Sequence, residues 1–142
     1  MEAETRIAIE SDADVVTARQ RARELAGDLD LSCTDQTLLA TAISEVARNI
    51  TTYATRGEVR LRIVRHGDGR PGIEVVASDN GPGIADIERA LQDGYTTGGG
   101  LGLGLPGARR LVDEFKIQSE PSQGTTVTLV MWGRNATRGV RA

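Results

Sequence analysis

The chain has 142 residues, of which 39% are hydrophobic and 26% charged, and a formal net charge of -3. This length and composition are typical of one globular domain with its own core, and the acidic balance excludes the basic surface of a typical nucleic-acid-binding domain. No apolar run approaches the roughly 20 residues that span a bilayer, and the single cysteine excludes an internal disulfide. We therefore expect one cytoplasmic domain over residues 1–142, with residues 133–142 as a flexible tail.

The hydrophobic pattern predicts helices that alternate with strands. Alternating or continuous apolar runs predict strands at residues 5–10, 58–65, 73–78, 116–120 and 125–132. Apolar residues at helical spacing predict helices at residues 15–29, 34–54, 86–93 and 107–115. Residues 11–14 and Thr34 offer N-caps, and the pair Arg56-Gly57 is expected to end the second helix.

The only lysine and the only histidine exclude several familiar sites. Lys116 lies in the context Glu-Phe-Lys-Ile, which fits neither a P-loop nor the strand lysine of the protein-kinase fold. His66 adjoins Gly-Asp-Gly, a turn signal, so we expect an exposed loop residue rather than a member of a metal cluster or a catalytic triad. Any nucleotide chemistry must therefore come from another fold.

The second predicted helix carries Glu45 and Asn49 one turn apart, so their side chains share a face. The helix also has an apolar stripe, formed by Leu39, Ala42, Ile43, Val46 and Ile50. On a hydrated metal–phosphate, a carboxylate can accept a proton while a neighbouring carboxamide binds the cation. The alternative is a solvated polar pair on an exposed face, because Glu-x-x-x-Asn is a common pattern.

The third predicted strand runs into the turn Asp-Asn-Gly-Pro-Gly, with Asp79 at the strand end and glycines at Gly81 and Gly83. A carboxylate fixed there, beside glycines that let a flat ligand approach the backbone, is typical of a binding site. An ordinary Asn-Gly-Pro-Gly loop is the alternative.

A glycine-rich segment, residues 94–106, precedes the last predicted helix. Glycine-rich backbone that leads into a helix N-terminus presents N–H groups and a positive dipole end to an anion, and phosphate is the natural candidate. A flexible linker is the alternative. Residues 102–107 also spell Gly-x-Gly-x-x-Gly, but they follow no strand, so we reject a dinucleotide site.

Four motifs follow one another in a fixed order. They are Glu45-x-x-x-Asn49, Asp79-x-Gly81-x-Gly83, Gly100-x-Gly102-x-Gly104 and Gly124-Thr125. This order resembles the ATP site of the GHKL superfamily, which includes gyrase, Hsp90 and histidine kinases. Residues 44–50, 93–107 and 110–115 are more similar still to the serine/threonine kinases of bacterial partner-switching systems, the switch kinases of the stressosome. The resemblance covers about residues 15–132.

The resemblance implies an α/β (α+β) two-layer sandwich of the Bergerat type, in which helices cover one face of a mixed, mainly antiparallel sheet. It implies ATP and Mg²⁺ as ligands, with Glu45 as the general base and Asn49 as the Mg²⁺ ligand. It assigns the adenine amino group to Asp79 and a second adenine contact to Thr125. The implied phosphate lid consists of Gly98, Gly99, Gly100, Leu101, Gly102, Leu103 and Gly104.

By the same resemblance, the chain is expected to phosphorylate a STAS-domain antagonist and then to activate a PP2C-type phosphatase or another effector. No nucleic-acid or membrane partner is expected. Thr96-Thr97 stand where related anti-sigma kinases often have an arginine, so the group that stabilises the γ-phosphate is unassigned. Arg48 is a candidate for it, and a structural ion-pair partner is the alternative. Three other functions remain open: an anti-sigma factor of the same fold, a non-catalytic ATP-binding module and a detached histidine-kinase ATPase domain.

Overall fold

The computed structural model describes residues 4–29, 31–54, 56–81, 104–120 and 122–133. In chain order, their elements are β1 (Glu4–Ile9), α1 (Asp12–Asp28), α2 (Cys33–Tyr53), β2 (Gly57–Arg65), β3 (Pro71–Asp79), α3 (Gly104–Leu111), β4 (Glu114–Glu120) and β5 (Gly124–Trp132). The helix predicted at residues 86–93, the tail after residue 133 and the glycine-rich segment before Gly104 lie outside the described residues.

The strands form one sheet in the order β1-β2-β3-β5-β4, and each pairing in it is antiparallel. The predicted two-layer fold with a mainly antiparallel sheet is therefore confirmed. The helices cover one face of the sheet, because alternate strand residues and the inner stripe of α2 pack into one core. Its fully buried large side chains include Ile9, Leu39, Ile43, Ile50, Leu61, Ile73 and Leu129.

The other face of the sheet is polar and partly solvated. There, Arg62 Nε lies 2.6 Å from Glu74 Oε1. This hydrogen bond and the negative charge of Glu74 raise the pKa of Arg62. Within the described part of the chain, no helix is long and apolar enough to cross a membrane.

Two predicted boundaries are wrong. Helix α2 is capped by Ser32, whose Oγ accepts a hydrogen bond from the backbone N–H of Asp35 at 3.0 Å, rather than by Thr34. The helix predicted at residues 107–115 is instead α3, which ends at Leu111, while Phe115 lies in β4 opposite Leu129. Pairing with β5 outweighs the helical spacing of the apolar residues here, since it satisfies the backbone and packs Phe115 against the core.

His66 lies in the loop between β2 and β3, with 40% of its side chain exposed, as predicted. Its ring meets Trp132 edge-on, with 5.0 Å between the ring centroids. In the same loop, hydrogen bonds from the backbone N–H and the guanidinium of Arg70 lower the pKa of Asp68. His66 thus packs at the end of a hairpin. The phosphorylated histidine of a histidine kinase would instead lie on a helix.

Candidate functional site

At one end of the sheet, the face that packs against the helices changes from an apolar row of residues to a row of small or polar residues. Across β2, β3, β5 and β4, the last apolar row consists of Val59, Ala77, Val127 and Ile117. Two residues further along each strand, the next row consists of Gly57, Asp79, Thr125 and Ser119. Because side chains two apart on a strand share a face, this polar row also faces the helices. The sheet thus ends in a polar floor under the helical layer.

Asp79 is the centre of this floor. Its Oδ1 accepts hydrogen bonds from the backbone N–H of Gly81 at 2.8 Å and from that of Thr125 at 3.3 Å. The first contact closes the turn after β3, and the second ties that turn to the first residues of β5. The half-buried carboxylate is therefore fixed in position, with Oδ2 as its second acceptor.

Glycines allow the backbone to come close around Asp79. A Cβ on Gly81 would lie 2.6 Å from the Cβ of Ala54, just beyond the end of α2. Gly124 has a φ of +89°, and a Cβ there would lie 2.0 Å from the carbonyl oxygen of Asp79. The close approach at Gly81 is therefore to Ala54, a structural partner that the sequence pattern did not predict.

The hydroxyl groups of Ser119 and Thr125 lie 2.9 Å apart at the end of the β4–β5 hairpin. Ser119 Oγ also donates a hydrogen bond to the carbonyl oxygen of Gly124 at 3.0 Å. The four sequence motifs include Thr125 but not Ser119. The signal that could have found Ser119 is the hairpin register, which places it directly opposite Thr125.

Glu45 belongs to α2, and its carboxylate lies beside the first residue of α3. Its side chain is only 10% exposed. Its Oε1 accepts a hydrogen bond from the backbone N–H of Gly104 at 2.9 Å, and its Oε2 lies 3.2 Å from Nη1 of Arg48. A carboxylate at a helix N-terminus is stabilised by the helix dipole. For Arg48, the structure therefore shows the ion pair that was one of its two predicted roles.

The candidate groups lie at successive positions along helix α2. Its end lies against Gly81 through Ala54, and Glu45 precedes Ala54 by nine positions, which is about 13 Å along a helix axis. Asn49, which is half-buried, lies between them. The carboxylate of the sheet floor, the carboxamide and the buried Glu45 therefore follow one another in order along the length of α2.

The remaining predicted site residues, Gly83 and residues 98–103, lie outside the described residues. Within the described ranges, no three His, Cys, Asp or Glu side chains form a group that could hold a metal ion. A cation that arrives on phosphate oxygens needs only one or two protein ligands, as is common for Mg²⁺. The chemistry of Asn49 fits that limited role.

Comparison with known proteins gives a family match and several similar proteins. The family described as "Histidine kinase-, DNA gyrase B-, and HSP90-like ATPase" matches residues 34–134. The serine/threonine-protein kinase RsbT of Bacillus subtilis is 43% identical over 128 residues, which cover 90% of this chain and 96% of that protein. An anti-sigma F factor of Halalkalibacterium halodurans is 34% identical over 71% of this chain and 72% of its own length.

Solved structures have the same fold. The crystal structure of the RsbU and RsbW domains of Rv1364c from Mycobacterium tuberculosis matches 95% of this chain with a TM-score of 0.60 and 24% identity, and this chain covers 33% of that longer one. The mycobacterial sensor histidine kinase MprB matches 93% of this chain and 99% of its own, with a TM-score of 0.55 and 22% identity. At these identities the likeness establishes the architecture alone.

Proposed function

Because the chain belongs to the family of histidine kinase-, DNA gyrase B- and HSP90-like ATPases and is a protein serine/threonine kinase, we propose that it phosphorylates a STAS-domain antagonist in a bacterial partner-switching pathway. ATP use follows from the family and from the kinase relative. The proposal adds Mg²⁺, the STAS substrate and release of the kinase to a PP2C-type phosphatase or another effector. The observation that carries it is the contact of Glu45 with the N-terminus of α3, nine positions before the end of α2 that lies against the Asp79 turn.

In the proposed complex, the nucleotide lies along α2. Asp79 accepts a hydrogen bond from the adenine amino group, and Thr125 is the second group on the adenine side. Asn49 binds Mg²⁺, and the glycine-rich residues before α3 enclose the phosphates. The order of these groups along α2 supports this arrangement, since Glu45 lies about 13 Å along the helix axis from Ala54, which contacts the Asp79 turn at Gly81.

The proposed reaction is the attack of a serine or threonine hydroxyl of the partner on the γ-phosphorus of ATP. Glu45 takes the hydroxyl proton as the new P–O bond forms, and the bond to the β-phosphate oxygen breaks to release ADP. Mg²⁺, when bound, neutralises the charge on the phosphate oxygens. A carboxylate has about four lone-pair sites, and the described contacts of Glu45 use one on each oxygen, so each oxygen keeps one for the hydroxyl proton.

A second candidate partner is a sigma subunit that the chain would sequester. The observation that favours it is the 34% identity to an anti-sigma F factor. One experiment separates the two candidates: the chain is incubated with labelled ATP and either a STAS-domain protein or a sigma factor of the same genome. Label on a serine or threonine of the STAS protein supports the proposal. A stable complex with the sigma factor, without transfer to the STAS protein, would favour the second candidate.

Asp79→Asn is expected to weaken ATP binding roughly 5- to 150-fold, which corresponds to the loss of a buried hydrogen bond of about 1–3 kcal/mol. The amide oxygen can keep the two backbone N–H donors that Oδ1 now accepts, from Gly81 and Thr125. The amide nitrogen then replaces Oδ2, so that a donor faces the adenine amino group. Titration calorimetry with Mg-ATP measures the change.

The matched control is Asp68→Asn. Asp68 also accepts a backbone N–H, that of Arg70, but it lies in the exposed hairpin loop. The Asp68→Asn variant should leave ATP affinity unchanged. Equal ATP affinity in the wild type and in Asp79→Asn would remove Asp79 from the adenine site.

A further inference from the structure

The carboxylate of Glu45 is held by two donors that approach different oxygens. The backbone N–H of Gly104 binds Oε1 at 2.9 Å, and Nη1 of Arg48 binds Oε2 at 3.2 Å. The last torsion of a glutamate side chain is broad, so one donor alone leaves the carboxylate free to turn about the oxygen that it holds. With a donor on each oxygen, the plane of the carboxylate and its free lone pairs are fixed in one orientation.

The two donors differ in how they are anchored. Gly104 is the first residue of α3, so its distance from Glu45 depends on how α3 packs on α2. Arg48 belongs to α2 itself, three residues after Glu45, and this spacing makes the two side chains neighbours on a regular helix. A shift of α3 relative to α2 would thus change the first contact and leave the second in place.

The ion pair is poorly placed to stabilise the fold. The side chain of Arg48 is 49% exposed and that of Glu45 is 10% exposed, so the guanidinium approaches the carboxylate from the solvent side. Exposed ion pairs contribute little to stability, because water screens them and ordering two long side chains costs entropy. We therefore expect the main effect of Arg48 on the orientation of the carboxylate that it holds.

In the proposed complex, Glu45 lies beside the γ-phosphate, and the two anions repel each other. A guanidinium carries a full positive charge, so it offsets this repulsion more than a neutral backbone N–H does. Phosphoryl transfer depends mainly on positioning and on charge rather than on the strength of the base. An arginine that keeps the carboxylate turned towards the incoming hydroxyl therefore favours the reaction, although it also binds one of the two oxygens.

We propose that Arg48 is a positioning residue for phosphate transfer, which holds the Glu45 carboxylate in the orientation that accepts the hydroxyl proton. This inference rests on the proposed function and goes beyond it by giving the ion pair a role in the reaction. The bonds that form and break are those described above. Arg48 acts through Glu45 and itself binds neither the γ-phosphate nor the partner.

The test is a double-mutant cycle between Arg48→Ala and Glu45→Gln, in which single-turnover transfer is measured from labelled Mg-ATP to a STAS-domain protein of the same genome. In the chain that keeps Glu45, Arg48→Ala should slow transfer about tenfold at saturating ATP and partner. ATP affinity, measured by calorimetry, should change by less than about twofold. In the Glu45→Gln background, Arg48→Ala should cause no further loss, because no carboxylate remains to be positioned. A merely structural effect would slow both backgrounds alike.

Three further variants make the result specific. Arg48→Lys keeps a cation within reach of Glu45 and should restore most of the wild-type rate. Arg48→Gln removes the charge with less loss of side-chain volume, and it replaces Arg48→Ala in the cycle if the alanine variant does not fold. Arg62→Ala is the matched control, because Arg62 is 53% exposed and pairs with Glu74 on the other face of the sheet. This control should transfer phosphate as fast as the wild type.

Each outcome decides the inference. An unchanged transfer rate in Arg48→Ala would overturn it, and so would an equal loss in both backgrounds, which would indicate direct contact with the phosphate. A parallel loss of ATP affinity, or a loss that disappears at saturating partner, would overturn it as well, since Arg48 would then bind a substrate. No transfer by the wild type, or wild-type transfer by Glu45→Gln alone, would instead overturn the proposed function or its mechanism, and the inference with it.

Discussion

Glu45→Gln should slow phosphate transfer to the partner by about 10²- to 10⁴-fold, the usual contribution of a general base, while Mg-ATP affinity stays nearly unchanged. The amide oxygen of glutamine can still accept the N–H of Gly104, and the buried stripe of α2 is untouched, so the helix and the start of α3 should remain in place. A neutral amide, however, cannot take the proton of the attacking hydroxyl. Single-turnover transfer assays and calorimetry separate the two effects.

Glu74→Gln is the matched control for this variant. Glu74 also pairs with an arginine, since its Oε1 lies 2.6 Å from Arg62 Nε, but it lies on the sheet face away from the helices. The Glu74→Gln variant should transfer phosphate at the wild-type rate. Wild-type transfer by Glu45→Gln would instead show that Glu45 only caps α3, and the mechanism proposed above would be wrong.

The sequence predicted the shared face of Glu45 and Asn49 well because both residues lie on one helix. The 3.6-residue period alone places Glu45 and Asn49 on a shared face and buries Ile43, Val46 and Ile50. It could not predict the partner of Glu45, because Gly104 is 59 residues away and the contact depends on how α3 packs on α2. Local spacing determines which side chains share a face, and tertiary packing determines what they touch.

The β4–β5 hairpin shows the same limit. Leu111, Val112 and Phe115 have helical spacing, so the sequence predicted one helix through Phe115, but pairing with β5 begins at Glu114. The same pairing brings Ser119 opposite Thr125, and a pattern of single residues gives no sign of that contact. Gly124 was part of a predicted motif, yet its structural reason appears only in three dimensions, where its backbone lies against Asp79.

Gly124→Ala is therefore expected to lower the free energy of unfolding by at least about 2 kcal/mol and to weaken ATP binding with it. The φ of +89° is unfavourable for alanine, and the new Cβ would lie 2.0 Å from the carbonyl oxygen of Asp79, so the end of β3 must move. Denaturant unfolding measures the first effect and calorimetry the second.

Two comparison variants separate the causes. Gly27→Ala, in α1, has no atom within 4 Å of its new Cβ and should be neutral or stabilise by about 0.4–1 kcal/mol. Gly124→Asn tolerates a positive φ but has the same Cβ contact. If asparagine were as stable as glycine, strain in φ would be the whole cost and Asp79 would not be displaced. We expect asparagine to lose most of what alanine loses, because a Cβ of either residue occupies the space that the backbone of Asp79 needs.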